Sequence, residues 1–236
     1  KRSSGRAMGA NGMSGGGTDL PSYYSRFGGF IFSFALDKYM FIYVNRPVVD
    51  DLIRIKYSQS ETVSDLNEVQ HDIARVCLEK MSIKKGIEIT SMADILAGSG
   101  LGSSSCYTVG LLNALHALKR DYVSLQELAE EACEIEMVTL NKPMGKQDQY
   151  LATFGGFSVL EIAKDGKVLV NKADVSNSTI GELKRNLLMF YTGKQRVNKK
   201  ILGLQDKATQ RSEKAVLDAL HYIKESSYKI LEIVET

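Results

Sequence analysis

The chain has no tryptophan and only three prolines, three histidines and three cysteines among its 236 residues. Each scarcity closes off a class of function. Cys77, Cys106 and Cys133 lie far apart and lack metal-ligand spacing, which excludes a disulfide scaffold or a zinc knuckle and points to reduced thiols in a cytoplasmic protein. His71, His116 and His221 stand singly on predicted helices with no cysteine or carboxylate at ligand spacing, so surface or core-edge roles are expected of them. Charge of one sign is also missing: 30 basic residues meet 28 acidic ones, for a net charge of +2. That balance gives no basis for binding nucleic acid or an anionic membrane. No apolar run reaches the ~20 residues of a membrane span, and no signal-peptide pattern is visible. What remains is an ordinary globular composition, 44% hydrophobic, long enough to bury a core without staples.

Glycine is where the sequence becomes specific. In Asp94-Ile-Leu-Ala-Gly-Ser-Gly-Leu-Gly-Ser-Ser-Ser-Cys106 three glycines alternate, give way to three serines, and an amphipathic helix follows. Alternating glycines let the backbone turn sharply and approach a ligand closely. The start of a helix offers unpaired N–H groups and the positive end of a dipole, which favour phosphate. Serine hydroxyls can add hydrogen bonds or reach a metal on the phosphates. A flexible connection is the competing reading. The lysine-ended P-loop is excluded, because no lysine lies between Lys85 and Lys119, and the G-x-G-x-x-G spacing of dinucleotide sites is absent.

Around this loop the pattern reads as α+β. Residues 28–36, 39–44 and 52–57 are β-branched, aromatic or alternating and predict strands, as does 87–92. Residues 64–83 carry apolar side chains at helical spacing. The glycine loop opens a helix to about Leu118. Ser124 and Glu127 form a capping box for a helix to about Leu140. Asp165-Gly166 between 157–162 and 167–170 signals a hairpin. Residues 187–192 predict a strand, and the chain is helical from about 198, with a long amphipathic helix over 215–234. The glycine-rich stretch 9–18 argues against a stable strand there, and Lys1-Arg-Ser-Ser-Gly-Arg6 reads as a foreign leader rather than a folded element. A pattern shift near 183–187 divides the chain into 1–185 and 186–236. The last helix stops at Thr236 without a visible cap, which predicts that the polypeptide continues.

Four acidic residues could do chemistry. Glu134 and Glu136 are two apart, so an α-helix turns them about 200° from one another; a solvated charge is the bland reading of each. Asp148 follows a Pro143/Gly145 turn and precedes an apolar segment, as a helix N-cap or an oriented general base would. Asp19 ends Gly15-Gly-Gly-Thr18-Asp19, either opening a turn before Pro21 or accepting hydrogen bonds from vicinal hydroxyls of a sugar.

Taken in order, these signals resemble the GHMP small-molecule kinases, named for galactokinase, homoserine, mevalonate and phosphomevalonate kinases. The resemblance is nearest to the branch that phosphorylates D-glycero-D-manno-heptose 7-phosphate at its anomeric carbon. It rests on G-G-G-T-D-L-P-S-Y-Y (15–24), G-G-F-x-x-S-x-A-x-D-K-Y (28–39), G-S-G-L-G-S-S-S (98–105), A-E-E-A-C-E-I-E (129–136) and G-K-Q-D-Q-Y-x-A-x-F-G-G-F (145–157). The resemblance implies a two-domain fold: an ATP-binding domain of the ribosomal protein S5 domain 2-like type over 1–185, and an incomplete ferredoxin-like domain over 186–236. It implies an ATP-dependent sugar kinase using Mg²⁺. Gly98, Ser99, Gly100, Leu101, Gly102, Ser103, Ser104 and Ser105 would wrap the ATP phosphates. Ser104 (or Ser103) and Glu136 would hold the metal. Asp148 would take the hydroxyl proton, with a carboxylate of ordinary pKa sufficing for an anomeric hydroxyl. Thr18 and Asp19 would contact the sugar, and Glu134 would remain a surface charge.

The partner implied is a small sugar or sugar phosphate, and a homodimer is among the assemblies allowed. Three departures stand out. Ala10 occupies the register of an arginine near the catalytic aspartate, with Arg6 or Lys146 as candidate replacements. Leu96 replaces a proline at the loop entrance. The family's C-terminal glycine motif has no counterpart before Thr236. The rival readings are a fucose- or galactose-type sugar-1-kinase, and an inactive sugar or nucleotide sensor on the same fold. Arg196, Lys199 and Lys200 could meet a substrate phosphate, with a solvated face as the plainer role.

Overall fold

In the computed structural model, residues 2–94, 98–188, 190 and 199–235 are described, the side chains of 10–12, 199 and 200 excepted. Seven strands form one sheet: β1 (Arg2–Ser14), β2 (Gly29–Asn45), β3 (Ile53–Lys56), β4 (Ser60–Val63), β5 (Ile87–Ala93), β6 (Phe157–Ile162) and β7 (Val168–Lys172). Their order is β4-β3-β5-β2-β6-β7, with β1 alongside β2. Only β3 and β5 run parallel; every other pair is antiparallel. The eight helices among the described residues are α1 (Pro21–Phe27), α2 (Asp72–Lys80), α3 (Ser103–Lys119), α4 (Leu125–Cys133), α5 (Gln147–Phe154), α6 (Asn177–Asn186), α7 (Lys199–Gln210) and α8 (Lys214–Glu235). The architecture is the α+β arrangement that the pattern predicts.

Strand β2 organises the sheet because it is long enough to serve three partners. Its first half pairs with β6, its second half with β5, and β1 follows most of its length. Alternation along β2 then builds two layers. Ile31 packs with Ala129, Cys133 and Tyr150 of α4 and α5, whereas Phe30 and Phe32 join Val159 of β6 and Val234 of α8. Ile42 and Val44 enter the largest core, with α2 and α3. The site elements α3, α4 and α5 therefore share one apolar footing.

Several expectations change. Residues 9–14 of the glycine-rich stretch are strand after all, while 16–18 form a turn: backbone pairing runs from Arg2↔Asn45 to Ser14↔Phe32, through Ala10↔Ala35. A long antiparallel partner supplies what weak local propensity lacks. The supposed leader is part of it, and Ser3 Oγ donates to the Ala114 carbonyl of α3 at 2.6 Å. Asp37-Lys38, which the pattern places between two strands, is an irregularity within one: Met8 pairs with Tyr39 and Gly9 with Leu36. The helix read over 64–83 begins late, with a short 3₁₀ turn at Leu66–Glu68 before α2, and β4 precedes it unannounced. Leu187, Leu188 and Phe190 are not in a strand; the rest of 187–192 lies outside the described residues. Ser124 caps α4 through the expected box with Glu127, and the hairpin turns at Asp165-Gly166, where Ala163 N–H donates to Lys167 O at 2.8 Å.

Candidate active site

The glycine loop leads from β5 into α3. Gly98, Gly100 and Gly102 take φ of 77°, 84° and 67°, a left-handed geometry that side chains resist. Gly102 caps α3 without any side-chain hydrogen bond, so the first N–H groups of a 17-residue helix are left for a ligand. Leu96 lies outside the described residues, as does the side chain of Ala10.

The serines that begin α3 meet a carboxylate from the far end of α4. There the backbone widens into a π-helical segment, Glu134–Thr139, a local irregularity that often accompanies function. It turns Glu136 fully inward, while Glu134 stays at the surface in a 2.7 Å ion pair with Lys80. Ser104 Oγ donates to Glu136 Oε1 at 2.5 Å, and Ser105 Oγ to Oε2 at 2.7 Å. Gln149 Nε2 donates to Oε2 at 2.9 Å, and the Lys142 ammonium lies 3.6 Å from Oε1. A buried carboxylate with this many donors is well satisfied. Ser103 makes no side-chain hydrogen bond among the described residues.

The donor set suits Mg²⁺ in kind. Glu136 and Ser104 present hard oxygens side by side, and the amide oxygen of fully buried Gln149 has no hydrogen-bond partner among the described residues. Magnesium is commonly bound by one or two carboxylates together with substrate phosphates rather than by an all-protein cage. No cluster of three or more His, Cys, Asp or Glu able to hold a metal exists among the described residues.

Asp148, on the first turn of α5, contrasts with Glu136. Its carboxylate accepts no hydrogen bond among the described residues. Burial first, then the charges of Asp19 and Glu136, push its pKa up to about 7. Without donors or a cation, desolvation and like charge act unopposed. Asp148 thus stands above the ordinary carboxylate pKa that would already suffice for an anomeric hydroxyl. Neither proposed replacement for the arginine reaches it: Arg6 lies over the Tyr39 ring at 4.4 Å, and the Lys146 ammonium is held by Glu130 at 2.8 and 3.0 Å and by Gly166 O at 2.8 Å.

Asp19 is a strut. Its carboxylate accepts the Gly17 N–H at 3.1 Å and the Gln147 N–H at 3.0 Å, tying the 15–19 turn to the residue before Asp148. Gly145 permits this, since any side chain there would overlap the Asp19 carboxylate. Burial raises the pKa of Asp19 and those N–H groups partly offset it. Thr18 is buried completely, its hydroxyl 2.8 Å from Gly15 O and 3.0 Å from Phe30 O while accepting the Phe30 N–H at 3.1 Å. Through these bonds the Thr18 hydroxyl holds the turn.

Sequence reasoning passed over the aromatic wall of the site. A cavity of about 500 Å³ opens beside Gly98 and Ser104 and is lined by Tyr57, His71, Tyr107 and Lys142. The His71 ring stacks on Tyr107 at 4.5 Å and meets Tyr57 edge-on at 4.7 Å. His71 Nδ1 accepts the Ala74 N–H, which assigns the ring proton to Nε2, and burial lowers its pKa. The Tyr107 hydroxyl is buried with no partner among the described residues. Tyr107 stands four residues after Ser103, one helical turn along the same face, and that spacing was the available signal. His116 takes a core-edge role, bridging Asp121 at 3.1 Å and Glu131 at 2.8 Å. Arg196 and the side chains of Lys199 and Lys200 lie outside the described residues.

Residues 67–156, which span the loop, Glu136 and Asp148, match the family described as GHMP kinases N terminal domain. Over 232 residues the chain is 28% identical to D-glycero-alpha-D-manno-heptose 7-phosphate kinase of Campylobacter jejuni, an alignment covering 94% of this chain and 68% of that protein. A homoserine kinase of Clostridium botulinum is 34% identical over 114 residues, 47% of this chain and 35% of the other. The fold matches the crystal structure of a D-glycero-D-manno-heptose 1-phosphate kinase from Bacteroides thetaiotaomicron with a TM-score of 0.81 at 24% identity, covering all of this chain and 73% of that one. These GHMP relatives are kinases, phosphotransferases with alcohol acceptors.

Proposed function

We propose that this protein transfers the γ-phosphate of ATP to the anomeric hydroxyl of a heptose 7-phosphate or a related sugar. The observation that carries the reading is Asp148: an unpartnered carboxylate with a pKa of about 7 beside the Ser104–Glu136 cluster at an uncapped helix start. A base poised near neutral pH combines a useful ionised fraction with real proton affinity. Residues 98–105 cradle the phosphates, and the aromatic cavity of Tyr57, His71 and Tyr107 receives the base of the nucleotide. Mg²⁺ held by Glu136 and Ser104 would supply positive charge to the phosphate oxygens.

In the transfer, Asp148 accepts the proton of the acceptor hydroxyl while that oxygen bonds to the γ-phosphorus. The bond to the β–γ bridging oxygen breaks, and ADP leaves. Most of the work is positioning and charge neutralisation. Asp19 serves by fixing the start of α5, and its remaining lone pairs are available to sugar hydroxyls. On this reading residues 1–185 form the ATP-binding domain and 186–236 begin a second one.

The test is a panel of sugars and sugar phosphates with Mg-ATP, wild type against Asp148→Asn. Phosphorylation of a heptose 7-phosphate ahead of fucose and galactose supports the reading. Phosphorylation of fucose or galactose instead moves the assignment to another sugar-1-kinase. ATP binding without turnover on any sugar makes the protein a sensor.

A further inference from the structure

We propose that Lys142 is the cation that meets the nucleotide phosphates at this site, in place of the arginine whose register Ala10 occupies. The inference rests on the kinase reading above and assigns the positive charge that reading leaves unfilled.

Two lysines flank the Pro143–Gly145 turn, and they are held very differently. Lys146 is buried against three close oxygens, at 2.8, 2.8 and 3.0 Å. Its donors are used up in joining α4 to the β6–β7 hairpin. The Lys142 ammonium has no comparably close partner: Ser104 Oγ stands at 3.3 Å, Glu136 Oε1 at 3.6 Å and Asp72 Oδ2 at 3.8 Å. An ammonium with three donors and only loose partners retains capacity for a stronger acceptor. Its placement is fixed by the backbone. Asn141 takes a left-handed φ of 46°, and Lys142 N–H donates to Glu136 O at 2.9 Å. The π-helical segment that buries Glu136 therefore also carries the lysine to the same spot.

Lys142 and neutral His71 are the basic side chains that line the cavity beside Gly98 and Ser104. The triphosphate brings several negative charges to the start of α3, against the carboxylates of Glu136, Asp148 and Asp19. One fixed cation at hydrogen-bond distance from Ser104 shifts that balance directly. A lysine meets phosphate as a point charge and tolerates the movement that phosphoryl transfer demands.

The experiment measures equilibrium binding of ATP and of adenosine, with and without Mg²⁺, to wild type, Lys142→Met and Lys142→Arg, each checked for unchanged thermal melting. Lys142→Met is expected to weaken ATP roughly 10- to 100-fold, the range of a charge-assisted hydrogen bond, while adenosine affinity is unchanged. Lys142→Arg is expected to restore most of the loss. Equal ATP affinity in Lys142→Met, or equal weakening of ATP and adenosine, overturns the assignment. Wild type that binds neither ligand overturns the kinase reading as well, so the two failures are told apart by the wild-type measurement.

Discussion

Two carboxylates twelve positions apart, Glu136 and Asp148, are both withdrawn from solvent and meet opposite fates. Glu136 is the more deeply buried and has the richer company: two serine hydroxyls, an amide and an ammonium surround it. Asp148 keeps some exposure yet has no donor, and its pKa rises to about 7. For Asp148, burial and the neighbouring charges of Asp19 and Glu136 act with no hydrogen-bond donor to offset them. The same contrast separates the roles proposed for them. A saturated carboxylate is a fixed anchor, and an unsatisfied one is ready to take a proton.

The sharpest way to break the contrast is Asp148→Asn. Steady-state kinetics should show kcat/KM lower by about 10²–10⁴, the worth of a general base, with ATP affinity retained. The same variant should be more stable. The folded-state pKa of Asp148 is raised, so the folded form gains from its protonation and loses that gain as pH climbs from about 4 to about 7. Melting of the variant should match wild type near pH 4 and exceed it at pH 8 by up to about 4 kcal/mol.

Glu136→Ala attacks the other side. It leaves Ser105, Gln149 and Lys142 without their shared acceptor, which should cost about 3 kcal/mol and lower the melting temperature by roughly 6–12 °C. Asp19→Asn is subtler. It removes a negative charge that helps raise Asp148, so the pH at which kcat/KM levels off should move downward, measured against Asp19→Ala, which also loses the strut. Lys146→Met should have the smallest effect: about 1 kcal/mol in urea melts, since Glu130 is 40% exposed, with the pH profile unmoved.

The parts of this molecule legible in its sequence are those decided within a few residues. The glycine loop feeding α3, the Ser124–Glu127 capping box and the Asp165-Gly166 turn all have their causes in local chemistry. Strand β1 was not legible, because its glycines stay extended only through pairing with β2 some thirty residues on. Glu136 is a similar case: α-helical geometry separates it from Glu134, but the π segment that turns it inward leaves no periodic trace. His71 and Tyr107 stack across 36 residues, so each alone looks like core. Lys142 could not be chosen over Lys146 by sequence, since one backbone angle at Asn141 and one partner at Glu130 tell them apart.

The measurement that bears most directly on the account is transfer of labelled γ-phosphate from ATP to D-glycero-D-manno-heptose 7-phosphate between pH 5 and 8. An unpartnered Asp148 acting as base predicts labelled sugar bisphosphate, with kcat/KM rising about tenfold per pH unit toward 7 and flat above it. No label on the sugar, or a rate indifferent to pH across that range, would contradict it.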